Sequence, residues 1–169
     1  MEGEELRFSL FGESHGKVVG VLIEGCPPGI EVDKEEMKID LERRKGLKKF
    51  STDREEKDEP EILSGVFDGY TTGAPITAIV KNKDVDSSFY EKIKDKPRPG
   101  HSDLTAREKF YGYNDHRGGG VFSGRLAVGT VIAGYFAKKI LSSIDVEIKA
   151  FVKSIGSLEC GEYELEEIF

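Results

Sequence analysis

The sequence contains few of the residues that bind metal ions or form cross-links. Its 169 residues include two cysteines and three histidines. Cys26 and Cys160 lie far apart and form no C-x-x-C motif, so neither a zinc site nor a disulfide framework is predicted. We therefore expect two inert thiols and no bound metal ion.

The sequence also lacks the features of membrane and secreted proteins. No apolar run approaches the roughly 20 residues of a membrane-spanning helix. The first five residues include three glutamates, and they lack the basic and apolar regions of a secretory signal. These absences predict a cytoplasmic protein that does not contact membranes.

Positive charge is scarce overall but concentrated locally. The formal net charge of −7 argues against nonspecific nucleic-acid binding, because that affinity comes from a basic surface that neutralises phosphates. A focused basic cluster nevertheless predicts a small polyanionic ligand. A solvated helix end that complements the helix dipole is the simpler alternative. The cluster consists of Arg43, Arg44, Lys45, Lys48 and Lys49.

The hydrophobic pattern predicts several strands. Residues 6–11 alternate apolar and polar side chains, residues 18–25 are β-branched and apolar, and the two segments are expected to pair antiparallel. The segment 81–99 is polar and interrupted by prolines, which predicts a loop. The length favours a single domain over residues 1–169. Further strands are predicted at 62–67, 74–80 and 147–152.

A first helix is predicted to begin at Asp33. This residue can cap the helix, and Glu36 stands three residues later, as in a capping box. Met37, Leu41 and Arg44 have the spacing of one helix face, so Arg44 is expected to point inward. Among the clustered basic residues, Arg44 is therefore the favoured ligand-binding candidate.

A second helix is predicted at about 123–141. Its residues are small and apolar on nearly every side, which is typical of a helix buried on all faces. The glycines at 118–120 would expose backbone N–H groups to an anion at the helix N-terminus, with Arg117 and Arg125 adding charge. A flexible hinge is the alternative. The elements predict an α+β fold, a β-α-β sandwich with antiparallel strands packed on a central buried helix.

One short motif near the N-terminus has the composition of a functional site. The residues Gly12-Glu13-Ser14-His15-Gly16 match G-x-S-x-G, the nucleophile elbow of serine hydrolases, and His101 with Asp103 could complete a triad. Such an elbow lies between a strand and a helix, whereas this motif is followed by a second predicted strand. A hydrolase that uses Ser14 is therefore the less favoured interpretation.

The favoured interpretation assigns the chemistry to two histidines. The pKa of a histidine lies near the second pKa of a phosphate, so His15 and His101 can hold or pass a proton at neutral pH. Guanidinium groups can neutralise an anionic substrate at the same site. The residues thus predict a polyanion-binding enzyme with two acid–base histidines. The candidate arginines are Arg44, Arg54, Arg117 and Arg125.

Taken together, the motifs resemble the chorismate synthase family. The resemblance covers nearly the whole chain up to about Lys139, and it depends on many co-linear matches, since one motif alone would be weak. The matching segments are FGESHG at 11–16, EGCPPG at 24–29, DLERR at 40–44, REEKD at 54–58, ILSGVFDG at 62–69, RPGHSD at 98–103 and DHRGGG at 115–120.

The resemblance implies a specific reaction of the shikimate pathway. Phosphate is eliminated from 5-enolpyruvylshikimate 3-phosphate to give chorismate, with reduced FMN required but not consumed. His15 would protonate or stabilise the reduced flavin, and His101 would assist the departing phosphate. The four arginines would bind substrate and cofactor, which suits a substrate with one phosphate and two carboxylates.

The resemblance also implies cofactor contacts. The segment Val121, Phe122 and Ser123 would lie against FMN. Arg44 and Lys49 would contact the nicotinamide phosphate of NADPH in members that reduce their own flavin. Many members read Arg-Ser-Ser-Ala-Arg-Glu-Thr at this helix entry, whereas this chain keeps only the second serine and the second arginine of that pattern. Backbone or packing contacts are therefore what we expect from Val121.

Members of the family are about twice as long as this chain. The absent part would carry most of the flavin-binding residues and an Arg-His-Asp motif whose aspartate helps to remove the substrate proton. Three explanations fit: a fragment, one of two polypeptides of a split enzyme, or a binding remnant that has lost catalysis. A structural half that pairs with a second polypeptide is the non-enzymatic alternative. The resemblance implies a homotetramer or a complementary C-terminal half as partner. We expect the chain alone to bind FMN weakly and to turn over slowly or not at all.

Overall fold

A computed structural model describes residues 5–44, 58–83 and 86–161. These ranges contain eight strands and four helices, with two 3-10 turns before the longest helix. The elements are β1 (Arg7–Gly12), β2 (Val18–Glu24), α1 (Lys34–Arg44), β3 (Pro60–Ser64), β4 (Val66–Phe67), β5 (Tyr70–Thr71), β6 (Ile76–Lys81), α2 (Ser88–Ile93), α3 (Asp103–Lys109), the 3-10 turns Arg117–Phe122 and Gly124–Leu126, α4 (Ala127–Ser142), β7 (Ser154–Ile155) and β8 (Leu158–Glu159).

A four-stranded antiparallel sheet forms one layer of the fold. Its strand order is β1-β2-β6-β3, so the predicted antiparallel pairing of the first two strands is confirmed. In β2, Val19, Val21 and Ile23 are fully buried, and they are cross-strand partners of the buried residues of β6. Alternate residues therefore face the core, as the period of a strand requires. The buried residues of β6 are Ile76, Ala78 and Val80.

Helices α4 and α1 form the second layer. Helix α4 packs on β2 and β6, and α1 packs on α4. At Gly129 the helix comes so close to the sheet that an added Cβ would lie 2.7 Å from Leu10 Cδ2. The predicted central helix is present, but it begins at Ala127 and not near Ser123. The expectation of burial on all faces is wrong, because Ala127 and Thr130 are exposed on the side away from the sheet.

The first helix begins where it was predicted, with a different set of cap contacts. Asp33 Oδ1 accepts from the backbone N–H of Glu35 at 2.8 Å. A capping box also requires the Glu36 side chain to accept from the backbone N–H of Asp33. This contact does not form, since the Glu36 carboxylate accepts from Lys139 Nζ at 2.9 Å. The backbone N–H of Asp33 donates instead to the hydroxyl of Tyr135 at 2.8 Å. Helix α4 thus fixes the start of α1, and Met37 and Leu41 are buried as predicted.

Three segment predictions need correction. The predicted strand 62–67 is interrupted at Gly65, whose φ of 80° directs the chain out of the sheet into a separate β4-β5 ribbon. The predicted loop 81–99 contains α2. The predicted strand 147–152 is wrong, because no described strand pairs with it and its apolar side chains at Ile148 and Val152 stay exposed. None of the described helices is long and apolar enough to cross a membrane.

Candidate active site

The turn that carries His15 connects β1 to β2 and is packed into the molecule. Ser14 is 1% exposed and His15 is 9% exposed. The backbone N–H of Ser14 donates to the carbonyl of Gly120 at 3.2 Å. The turn therefore lies directly against the glycine loop, which is far away in the sequence.

The glycine loop lies against both predicted histidines. Gly118, Gly119 and Gly120 have φ values of 60°, 89° and 55°, a region that favours glycine. A Cβ added to Gly118 would lie 2.3 Å from Cδ2 and 2.6 Å from Nε2 of His15, and one added to Gly119 would lie 2.8 Å from Cε1 and Nε2 of His101. Any side chain at 118 or 119 would therefore collide with an imidazole ring.

The predicted role of this loop at a helix N-terminus is wrong. Residues 121–126 separate the glycines from the start of α4, so their N–H groups do not belong to that helix. Gly119 and Gly120 are buried, and the hinge alternative stays a prediction. The loop instead provides a surface without side chains on which two rings rest.

Two residues of the segment predicted to be a loop contact His15. Ser87 Oγ lies 2.9 Å from Nδ1 of His15. The ring of Tyr90 meets His15 edge-on, with centroids 5.0 Å apart. A sequence signal was present, since Ser88 with Glu91 three residues later is a capping-box pattern that indicates a helix start.

His101 is held by a charged pair. Its Nδ1 lies 2.7 Å from Asp103 Oδ1. Arg98 binds the same carboxylate with two contacts, Nε to Oδ2 and Nη2 to Oδ1, both at 2.8 Å. Nη2 is also 3.2 Å and 3.3 Å from the two ring nitrogens. Nη2 of Arg98 therefore contacts both the Asp103 carboxylate and the His101 ring.

Asp103 is ionised in this arrangement. The hydrogen bonds from Arg98 hold the pKa of Asp103 well below its usual range, and they outweigh the opposing effect of burial. An ionised Asp103 accepts from Nδ1–H of His101 and leaves Nε2 facing Gly119. The other side of Arg98 contacts Tyr90, whose ring centroid lies 5.4 Å from the guanidinium carbon. Tyr90 therefore touches both the His15 ring and the group that holds His101.

Two of the predicted substrate-binding arginines share one buried carboxylate. Arg44 Nη2 donates to Asp58 Oδ2 at 2.6 Å, and Arg125 Nη1 donates to Asp58 Oδ1. The side chain of Asp58 is completely buried. Burial alone would raise the pKa of Asp58, but the hydrogen bonds from Arg125 and Arg44 lower it below its ordinary value. Asp58 thus joins the end of α1 to the start of α4.

The remaining predicted cations differ in accessibility. Arg117 binds Asp115, with Nε to Oδ1 at 2.8 Å and Nη2 to Oδ2 at 2.7 Å. Its side chain is 39% exposed, compared with 23% for Arg44 and 4% for Arg125. Arg54 and Lys49 lie outside the described residues. Of the described candidates, Arg117 is the one most accessible to an anion.

Asn82 connects the arginine pair to the histidine turn, which the sequence analysis missed. Its Nδ2 donates to the carbonyls of Glu13 at 3.1 Å and Gly16 at 2.9 Å. Its Oδ1 accepts from Nε of Arg125 at 3.0 Å. No motif marks Asn82, because it follows a strand in a polar segment.

The predicted flavin-contact segment leads out of the glycine loop. Val121 and Phe122 are each 41% exposed, an unusual exposure for apolar side chains beside a buried loop. The side chain of Ser123 accepts from the backbone N–H of Arg125 at 3.3 Å. The segment therefore presents an exposed apolar edge, against which a flat aromatic ring could pack.

The surroundings of Ser14 do not match a nucleophile elbow. The turn connects two antiparallel strands, whereas the elbow requires a strand followed by a helix in a parallel sheet. The buried Ser14 hydroxyl also lies next to Gly118, where an added Cβ would be 2.8 Å from it. The hydrolase interpretation therefore lacks its structural context.

Comparisons with known proteins point to one family. The chain matches the family model described as chorismate synthase over residues 6–168. A chorismate synthase of Thermococcus gammatolerans is 62% identical over 169 residues, which are 100% of this chain and 48% of the relative. A chorismate synthase of Pyrococcus abyssi is 62% identical over 168 residues, or 99% of this chain and 47% of the relative. The chain thus spans about half the length of these curated relatives.

A solved structure extends the comparison to the fold. The structure titled "Crystal Structure of Chorismate Synthase" is 31% identical, superposes with a TM-score of 0.67, and covers 99% of this chain and 42% of that chain. This likeness confirms the predicted α+β fold.

Proposed function

This chain belongs to the chorismate synthase family, and we propose that it supplies the histidine-bearing half of an enzyme that eliminates phosphate from 5-enolpyruvylshikimate 3-phosphate to give chorismate. The main observation is the placement of His15 and His101 against the consecutive glycines 118 and 119. Each ring meets the loop through an edge that includes Nε2. Two proton-carrying groups beside consecutive residues could act on one bound molecule.

His101 is suited to assist the departing phosphate. The Asp103 carboxylate can accept from its Nδ1–H at 2.7 Å. A proton on Nε2 would lie at the glycine loop, where it could neutralise charge that develops on a leaving phosphate. Arg117 is placed to bind the same anion with its exposed side chain.

The residues from 118 to 123 fit a flavin. Reduced FMN, when bound, would supply the electron-rich ring system that the elimination requires. The exposed side chains of Val121 and Phe122 would supply apolar contact to a flat ring next to the glycine loop. His15 would then hold or give a proton at Nε2 beside that ring. Contacts of Arg44 and Lys49 with NADPH belong to the same proposal.

The other half of the site would come from a second segment. A chain that spans 48% of a relative leaves the proton-abstracting group and further flavin contacts to the remaining length. We propose that this second segment is a complementary C-terminal half. The family resemblance implies that the assembly is a cytoplasmic tetramer. The exposed side of α4, which includes Ala127 and Thr130, is available for it.

The proposal is tested by anaerobic phosphate release from 5-enolpyruvylshikimate 3-phosphate with reduced FMN. The chain is assayed alone and with a separately expressed segment that covers the rest of the Thermococcus gammatolerans relative. We expect turnover only in the pair, and a loss of roughly 100-fold or more in His15→Gln and His101→Gln.

His116→Gln is the matched control. His116 is the third histidine of the chain, and its Nε2 lies 3.4 Å from the exposed Glu91. It should leave turnover unchanged. Turnover without flavin, or an equal loss in all three variants, would contradict the proposed function.

A further inference from the structure

Ser87 stands at the start of α2 but does not cap this helix. A serine in this position usually accepts from a backbone N–H of the first turn. Here the Ser87 side chain makes no cap hydrogen bond. Asp86 Oδ1 takes this role by accepting from the backbone N–H of Ser88 at 2.9 Å. The Ser87 hydroxyl is therefore left for another contact, which is Nδ1 of His15 at 2.9 Å.

The two histidines are held in the same way by different partners. Asp103 holds Nδ1 of His101 at 2.7 Å, and Ser87 holds Nδ1 of His15 at 2.9 Å. In each ring Nε2 is then the nitrogen next to a loop glycine. A hydrogen bond to one ring nitrogen decides which tautomer the imidazole adopts.

We propose that Ser87 is the positioning residue of His15, and that its hydroxyl oxygen accepts from Nδ1–H so that Nε2 is the nitrogen that gains and loses the proton. The inference rests on the proposed function for the role of that proton. In the doubly protonated ring, Nδ1–H binds Ser87 and Nε2–H faces the glycine loop. When the Nε2–H bond breaks, its electron pair stays on the ring and the proton passes to the bound molecule. The neutral ring keeps its proton on Nδ1.

Two further described groups interact with the His15 ring. They are Asp86, whose carboxylate interacts with it electrostatically, and the edge-on Tyr90. Asp86 is bound to the backbone of α2, and Tyr90 is in contact with Arg98. At Nδ1, His15 thus has the neutral Ser87 hydroxyl where His101 has the Asp103 carboxylate.

Long-range proton–nitrogen correlation NMR on the whole chain tests the inference without turnover. With three histidines in the chain, the His15 signals are assigned by their loss in His15→Gln. We expect neutral His15 to be a single Nδ1–H tautomer in the unmodified chain and in Ser87→Thr, and a mixture of tautomers in Ser87→Ala. Ser88→Ala removes the neighbouring hydroxyl and should leave the tautomer unchanged.

Two NMR outcomes would overturn the inference. One is an Nε2–H tautomer of His15 in the unmodified chain. The other is a tautomer population of His15 in Ser87→Ala that equals the one in the unmodified chain. In the assembled pair, Ser87→Ala should lower kcat roughly 10- to 100-fold with little change in KM, as positioning groups commonly do, and Ser87→Thr should restore it. Ser87→Ala turnover equal to that of the unmodified pair counts against the inference. If the pair has no turnover at all while the NMR result is as expected, the proposed function fails and the assignment of the tautomer stands.

Discussion

The side-chain amide of Asn82 accepts from Nε of Arg125 at 3.0 Å. The nitrogen of the same amide donates to two carbonyls of the turn that carries His15. A single side chain therefore connects the buried ion pairs between α1 and α4 to the turn that carries His15. Changes in either part should be detectable in the other.

Substitution of Asn82 should separate its two roles. Asn82→Ala removes the contacts to Arg125 and to the turn, and it should lower the free energy of unfolding by about 1–3 kcal/mol. Asn82→Asp keeps an acceptor for Arg125 but cannot donate to Glu13 or Gly16, because a carboxylate has no N–H. Urea unfolding measures the first effect, and amide hydrogen exchange in the turn measures the second. Unchanged exchange in Asn82→Asp would show that the turn does not depend on the amide.

Removal of the charge at Asp58 should be costly. Asp58→Asn leaves two guanidinium groups without their shared carboxylate, and breaking a buried pair costs roughly 3–5 kcal/mol. We expect the lower end of that range, since Arg44 is 23% exposed. Chemical denaturation of Glu59→Gln is the comparison, because its partner Lys83 is 3.4 Å away and both side chains are exposed. That variant should lose less than about 1 kcal/mol. Similar losses in the two variants would refute the role of the buried pair.

A methyl group at residue 118 should displace His15. Gly118 and Gly156 both have a φ of 60°, but a Cβ at Gly156 would meet no atom within 4 Å. Gly156→Ala therefore has only the backbone cost of about 1–2 kcal/mol. Gly118→Ala has the same cost and in addition a contact of 2.3 Å with the imidazole, and it should be destabilised further by about 1–3 kcal/mol. Thermal unfolding measures the stability of both variants. Equal losses of stability would mean that the His15 ring moves aside at no energetic cost.

Acid should destabilise the chain in a defined window. The hydrogen bonds from Arg98 and Arg117 lower the pKa of Asp103 and of Asp115 in the folded state. As the pH falls below about 4, the unfolded chain therefore binds protons before the folded chain does, and the free energy of unfolding decreases. Above about pH 5 this contribution is complete and does not depend on pH.

The comparison of variants at low pH checks this sign. Denaturant titrations at pH 7, 5, 4 and 3 should show a shallower loss in Asp103→Asn than in the unmodified chain. Asp95→Asn removes an exposed carboxylate 3.4 Å from Arg107. Its free energy of unfolding should decrease with falling pH as steeply as that of the unmodified chain. A steeper loss in Asp103→Asn would contradict the prediction.

Local patterns were sufficient for the elements that depend on neighbouring residues. The alternation in β1 and β2, the Asp33 cap and the buried Met37 and Leu41 all follow from side-chain periodicity and backbone hydrogen bonding. The strand predicted at 147–152 failed because alternation does not ensure that a partner strand exists. The prediction of a loop at 81–99 was wrong because it followed the prolines at the end of the segment, whereas the helix-start pattern at Ser88 indicates α2.

The candidate site was only partly accessible from the sequence. His15 and His101 were identified by residue type and by resemblance, and their chemical roles stay predictions. Asn82 and Ser87 could not be found in the same way, because their contacts join residues 66 and 72 positions apart. The sequence also did not indicate that Arg44 and Arg125 meet on Asp58, since partners of ion pairs are decided by tertiary packing.

The positive φ angles of the glycine loop limit how this protein can be redesigned. Replacing glycine with alanine is a common way to stabilise a chain, because it reduces the freedom of the unfolded state. At residues 118 and 119 alanine would be unfavourable for two reasons. The φ angle is positive, and an imidazole ring occupies the space that the side chain would need. A laboratory library that varies this loop would recover stable variants only by moving a histidine as well. The loop glycines and the two histidines therefore have to be varied together.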